Sequence, residues 1–194
     1  MFTLYSADFT GNPGNCSYPH KTVVMNTDNL REAVCHDYVC AEYKNHYRNG
    51  ENFISADCLP VDCDNDHSED PKDWVTPADV LEAFPGVSIA IHYSRFNNRE
   101  KNGKPARPKF HVLFPIDRMT DATLYSDMKK LVNSIFPYFD TKALDAARFF
   151  FGTQEPNVEL YPGRMNLTEF LNDDEFDAGL PGGHEKDAVI PEGS

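Results

Sequence analysis

Cations are scarce in this chain. It carries 18 Lys and Arg against 31 Asp and Glu, a net charge of −13. That balance excludes a protein that holds polyanions through overall positive charge, so any phosphate contact must come from a local patch. Long apolar runs are absent. No stretch approaches the roughly 18 apolar residues of a membrane helix, and no membrane partner is expected. Met1 to Asn12 lacks a basic region followed by an apolar run, so no secretory signal is expected and a cytoplasmic location is. Cysteines number five, an odd count whose spacing does not suggest a disulfide framework. Cys58 and Cys63 read as small buried thiols. Cys35 and Cys40 lie near Cys16, His20, His36 and His46 in the chain. Their spacing is loose for zinc and no second tight pair exists, so free thiols are expected rather than a zinc site.

Aromatics are plentiful. Fourteen Phe and nine Tyr, within 40% hydrophobic residues overall, are enough for a core and argue against disorder. The charges are unevenly placed. Asp57 to Glu82 holds nine acids; Arg95 to Arg118 holds seven Lys or Arg and two acids; Asn172 to Ser194 holds seven acids and one Lys. An acidic centre beside a basic strip suits metal-assisted phosphate chemistry, although scattered surface charge would also give such a pattern.

The opening alternation Phe2, Leu4 predicts a short strand, followed by a long loop with Gly11, Pro13, Gly14 and Pro19. Thr27-Asp28-Asn29 reads as an N-cap ahead of the apolar face Leu30, Ala33, Val34, Tyr38, a helix over about 28–41. Leu59 to Asp64 reads as a strand emerging at a site. Thr76, Pro77 and Asp79 start a short helix through Phe84. Val87 to Ser94 is a buried strand, Phe96 to Pro108 a basic hairpin loop, and Lys109 to Ile116 the returning strand. Thr120 to Ile135 is an amphipathic helix with Leu124, Met128, Leu131, Val132 and Ile135 on one side. Phe136 to Thr141 is a short strand or turn, and Leu144 to Phe151 a helix or a strand. Val158 to Tyr161 is a strand, and Asn166 to Leu171 a short closing segment. Adjacent antiparallel pairs with interspersed helices predict an α+β domain over 1–172. Residues 173–194, acidic and Gly-rich, read as a linker or tail.

Three patterns carry chemistry. In Val61-Asp62-Cys63-Asp64, a strand would put both acids on one face. Adjacent carboxylates repel, and a divalent cation removes the conflict; hard oxygen donors suit Mg²⁺ or Mn²⁺. The plainer reading is an acidic turn at a sheet edge. In Arg107-Pro108-Lys109-Phe110-His111, the alternation would put two cations and a histidine on one face, a receptor for the phosphates of a nucleotide. The plainer reading is an exposed edge strand. Phe139-Asp140 and Leu144-Asp145-Ala146-Ala147-Arg148 offer a third acid, Asp140 or Asp145, to complete a two-metal site, and Arg148 to hold a triphosphate or a template backbone. Here the plainer reading is a helix cap and a surface ion pair. Arg95, Arg99, Lys101 and Lys104 make the 95–104 loop a candidate clamp for DNA.

The order of these patterns resembles the archaeo-eukaryotic primase superfamily, whose hallmarks are hhhDhD, s-x-H and hD. Here they are Leu59-Pro60-Val61-Asp62-Cys63-Asp64, Lys109-Phe110-His111 and Phe139-Asp140, within residues 50–165. The likeness is nearest to primase–polymerase domains of phages, plasmids and other mobile elements. It implies an RRM-like antiparallel or mixed sheet flanked by helices, and metal-dependent, template-directed transfer of nucleotides from dNTPs or NTPs. Asp62, Asp64 and Asp140 would hold two Mg²⁺ or Mn²⁺ ions, and His111 would contact the incoming phosphates. Partners would be single-stranded template and primer, with a helicase beyond the tail. Lys109 departs from the small residue usual at its position. Two rivals remain: a replication-initiator nuclease, which would place two histidines around one hydrophobic residue where this chain has His111 alone, and a non-catalytic nucleotide- or DNA-binding module.

Overall fold

The alternation of apolar and polar residues in the long central strands decides the architecture. The computed structural model describes residues 1–173, so the predicted 173–194 tail, apart from Asp173, lies outside the described residues. Strands β1 (Phe2–Ser6), β2 (His20–Val24), β3 (Tyr38–Val39) and β8 (Phe149–Phe150) form one sheet in the order β2-β1-β3-β8. Strands β4 (Ala41–Tyr43), β5 (Phe53–Cys63), β6 (Ile89–Tyr93), β7 (Phe110–Met119) and β9 (Val158–Tyr161) form the second, in the order β4-β5-β7-β6-β9. The strand pairs within both sheets are antiparallel. The chain passes from one sheet to the other at Cys40, between β3 and β4. Helices α1 (Thr27–Val34), α2 (Pro77–Ala83), α3 (Ala122–Ile135) and α4 (Leu167–Leu171) complete a mixed α+β fold among the described residues.

Side chains on the second sheet divide by parity. Leu59, Val61 and Cys63 of β5, Phe110, Val112 and Phe114 of β7, and Ile89 and Ile91 of β6 belong to the larger core, with Val80, Phe84, Tyr125, Val132 and Leu167 of the helices. Cys58, Ala90 and Leu113 point the other way, into a smaller core with Phe2, Leu4, Leu30, Tyr38 and Phe150. The same parity sends Asp62, His92 and His111 toward the first sheet. Their apolar neighbours Val61, Ile91 and Val112 anchor each strand on the opposite face, so the polar row between the sheets has a fixed register.

Three expectations need correction, and one left open is decided. Helix α1 is capped by Asn26, whose side chain accepts from the Asn29 N–H, and it ends at Val34 rather than 41. The cause is Asp37. Its buried carboxylate accepts from the backbone N–H groups of Gly11, Asn12 and Gly152, which a continuing helix would forbid. Tyr38 therefore lies on a strand. The long loop after β1 folds back as β2. On α3, Val132 is buried and Met128, Leu131 and Ile135 pack against the core as expected, but Tyr125 and Lys129 join the buried face and Leu124 is 57% exposed. The segment open between helix and strand contains β8, paired with β3.

Candidate metal and phosphate site

Asp62, next to last on the second-sheet strand β5, lies opposite His111 of β7, and His111 faces His92 of β6. The Asp62 Oδ1 to His111 Nδ1 distance is 2.9 Å, and Nη2 of Arg148 stands 3.7 Å from Asp62 Oδ2. Burial alone would push the Asp62 carboxyl up, but His111 and Arg148 outweigh it and hold the group below the ordinary carboxylate range. An ionised carboxylate only accepts, so Nδ1 is the protonated nitrogen and Nε2 is left to the groove. Asp64 behaves oppositely. Burial and then the Asp62 charge push it up, and Lys109 offsets this only in part.

Asp140 joins these two acids because its backbone N–H donates to the Asp62 carbonyl at 2.7 Å. Carboxylate oxygens of Asp62, Asp64 and Asp140 all lie within 4.8 Å of one another. Asp145 is not in that group; its carboxylate accepts from the Ala147 N–H in a turn. Three hard oxygen donors in a partly buried site, one destabilised by its neighbour's charge, fit Mg²⁺ or Mn²⁺.

Beside the acids is a cavity of about 160 Å³ lined by Arg95, Lys101, His111, Arg148 and Phe149 to Phe151. Cations and aromatic rings thus meet the acids at one opening. Arg148 Nε is buried with no hydrogen-bond partner, a donor that an incoming anion would satisfy. Arg95 lies over the Phe151 ring at 4.4 Å and Lys101 over Phe96 at 4.5 Å. Ser94 and Arg95 also line a wider, polar groove of about 830 Å³ with Arg99, Asn97, Gln154 and Asn157. A third cavity of about 270 Å³ opens on the other side of Asp64 and Asp140, with His67, Tyr138 and Lys142.

The remaining predicted cations are already paired. Arg107 is fully buried; its guanidinium donates to the Asn65, Ser68 and Pro105 carbonyls, meets Glu69 at 2.8 Å and lies over Trp74. It sits in the wall behind the site and does not line the groove, contrary to the predicted open phosphate receptor. The reason is that the chain beyond β5 supplies acids opposite each basic position. Lys109 Nζ is 3.9 Å and Lys104 Nζ 3.6 Å from Asp66.

Sequence reasoning missed His92. It is completely buried, with Nδ1 2.8 Å from the Tyr38 hydroxyl and Nε2 2.9 Å from Thr153 Oγ1. Burial and then the His111 charge push it well below the ordinary histidine range, so it is neutral. The available signal was one polar residue inside the apolar strand Ile89-Ala90-Ile91-His92-Tyr93. His92 does make a second histidine beside His111, but on another strand and with both nitrogens already bonded. It does not supply the two histidines around one hydrophobic residue expected of an initiator nuclease.

Cys40 is buried in the smaller core, and the Cys35 thiol approaches the Glu32 carbonyl and His36 Nδ1. No described helix is long and apolar enough to cross a membrane.

No family model matches the sequence, and no curated protein matches it. A solved structure that superposes on this chain is the AEP domain (PP-N190) of the cyanophage S-2L primase-polymerase, PrimPol. It is 12% identical, with 84% of this chain and 81% of that chain covered, at a TM-score of 0.46. A likeness of that degree establishes neither a family nor an activity for this chain.

Proposed function

We propose that this domain is a nucleotidyltransferase of the primase–polymerase type, with an RRM-like second sheet, that extends a strand on a DNA template from dNTPs or NTPs. The observation that carries the reading is the convergence of Asp62, Asp64 and Asp140 within 4.8 Å of one another beside His111 and Arg148. Acids grouped so closely are costly without a cation, and the neighbouring cationic cavity offers the charge a triphosphate needs.

In the proposed reaction a 3′-hydroxyl oxygen attacks the α-phosphorus of a nucleoside triphosphate. The new O–P bond forms as the bond to the β-phosphate oxygen breaks, and pyrophosphate leaves. Asp62, Asp64 and Asp140 would hold Mg²⁺ or Mn²⁺. Bound there, the metal would acidify the attacking hydroxyl and offset charge on the leaving group. His111 Nε2 and Arg148 meet the phosphates, and Asp62 orients the His111 ring through Nδ1. Phe149 and Phe151 offer apolar faces to a nucleobase. The wider groove with Arg95 and Arg99 is the proposed path of the template or primer, and Arg95, which lines both openings, stands between the two. Arg107 acts as a scaffold for the Asn65–Glu69 turn.

Incorporation of labelled dNTP and NTP on primed and unprimed single-stranded templates, with Mn²⁺ or with EDTA, tests the proposal. Metal-dependent product growth supports it. Metal-independent binding with no incorporation indicates a non-catalytic module, and strand cleavage indicates a nuclease.

A further inference from the structure

Residues 148–151 form the roof of the small cavity, supplying Arg148 and three phenylalanines to it, and Gly152 and Thr153 carry the roof on into the wider groove. The floor is the second sheet. At the near end, roof and floor are joined by Arg148 and Asp62, 3.7 Å apart. At the far end they are joined by His92 on the floor and Thr153 on the roof, at 2.9 Å. The Gly152 N–H is held by Asp37 and the Thr153 N–H by the Val34 carbonyl, so the far end is stitched to the end of α1 and its connection to β3 as well. Gly152 also packs too tightly for a side chain, since a Cβ there would lie 2.3 Å from the His36 backbone.

His92 stands where these ties meet. Its second nitrogen bonds Tyr38 of the first sheet. Its ring lies 5.3 Å from that of His111, and the His111 ring lies 4.6 Å from Phe150 of the roof. Tyr38, cross-strand partner of Phe150, stacks on it at 5.6 Å. Tyr38, His92, His111 and Phe150 thus form one packed group, with His111 held between His92 on the floor and Phe150 on the roof. A purely apolar residue at 92 would fill the space without needing polar partners. An imidazole there bonds in two directions, which ties the second sheet both to Tyr38 of β3 and to Thr153 of the roof and sets the gap across which His111 and Arg148 face a ligand.

We infer that His92 is a positioning residue: through Tyr38 and Thr153 it fixes the height of the 148–153 roof, and so the distance of Arg148 and His111 from a bound triphosphate. His92 touches no substrate itself. This inference rests on the proposed nucleotidyl transfer.

The test compares the wild type with His92→Phe, His92→Gln, Thr153→Val and the His92→Phe/Thr153→Val double variant. Hydrogen exchange of the peptide over 148–153 and steady-state incorporation are both measured. His92→Phe and Thr153→Val are expected to speed exchange in that segment while β1 and β2 stay protected. Each should raise KM for the nucleotide or lower kcat by about 10- to 100-fold. The double variant should be no worse than the poorer single one, because both remove the same tie. His92→Gln, which can still bond both ways, should recover most of the activity. A space-filling role alone would lower the melting temperature and leave the kinetic constants of the folded protein unchanged. Wild-type exchange or wild-type kinetics in Thr153→Val, a mild change that leaves the histidine in place, overturns the inference while leaving the proposed function standing. A wild type that incorporates no nucleotide overturns both.

Discussion

Asp62 and His111 are a cross-strand pair, joined at 2.9 Å on the face of the second sheet that looks toward the first. Everything proposed for the site is built outward from that pair. Asp64 and Asp140 stand on one side of it, Arg148 and the aromatic roof on the other.

The three acids should bind Mn²⁺ with a measurable gain in stability. At a metal concentration about 100 times its Kd, the gain is about 2.7 kcal/mol, several degrees in melting temperature for a domain of this size. Asp64→Asn should lose most of the shift. In EDTA the same variant should be no less stable than wild type, because it removes repulsion from Asp62. Equal Mn²⁺ shifts in both proteins would place the ion elsewhere.

Arg107→Ala should destabilise the fold by about 3 kcal/mol or more, because it strands the Asn65 and Ser68 carbonyls and empties the space under Trp74. Arg107→Lys should recover little, since an ammonium cannot reproduce the planar fork. Denaturant midpoints measure both. Full stability with a raised nucleotide KM would restore the phosphate-contact reading for this residue.

Lys129 on α3 is buried with its Nζ 2.7 Å from the Asp145 carbonyl, and burial pulls its pKa from 10.5 down to about 8. Between those two values the unfolded chain binds the proton and the folded chain does not. The contribution of Lys129 to stability therefore rises with pH across that window. The stability of the wild type relative to Lys129→Met should improve by about 2–3 kcal/mol between pH 7 and pH 10.5. A constant difference across that range would contradict a buried, readily deprotonated lysine.

Replacing Arg95, Arg99 and Lys101 together by Gln should flatten the salt dependence of single-stranded DNA binding, by about 2 in the log–log slope if each meets one phosphate. Lys104→Gln should change it little, because Lys104 already faces Asp66. Fluorescence anisotropy at several salt concentrations reads the slope. An unchanged slope in the triple variant would show that DNA does not follow the groove.

Much of the site was legible because strand parity is a local property. Val61-Asp62-Cys63-Asp64 and Lys109-Phe110-His111 each show their alternation in a few residues, and the structure pairs Asp62 with His111 as adjacent strands allow. What faces a strand is not local. Arg107 has the right parity for a phosphate receptor, yet the turn from Asn65 to Glu69 folds over it and takes its donors. Helix α1 stops early because Asp37 serves amides at Gly11, Asn12 and Gly152, positions that no periodicity links to it. The two-sheet layout was hidden for a similar reason: β3 and β8 have two residues each, too few to show a period. His92 looked like part of a buried strand, and only the partners Tyr38 and Thr153, from other segments, give its imidazole a role.

Asp62, Asp64 and Asp140 are proposed to act together in nucleotide transfer. Single-turnover incorporation of a labelled nucleotide in Mn²⁺ tests it most directly, with wild type, Asp64→Asn, Asp140→Asn and Asp145→Asn compared at matched folded fraction. Losses on the order of 10³-fold or more are expected for Asp64→Asn and Asp140→Asn, and a rate near wild type for Asp145→Asn. Near-wild-type incorporation by Asp64→Asn would contradict that joint role.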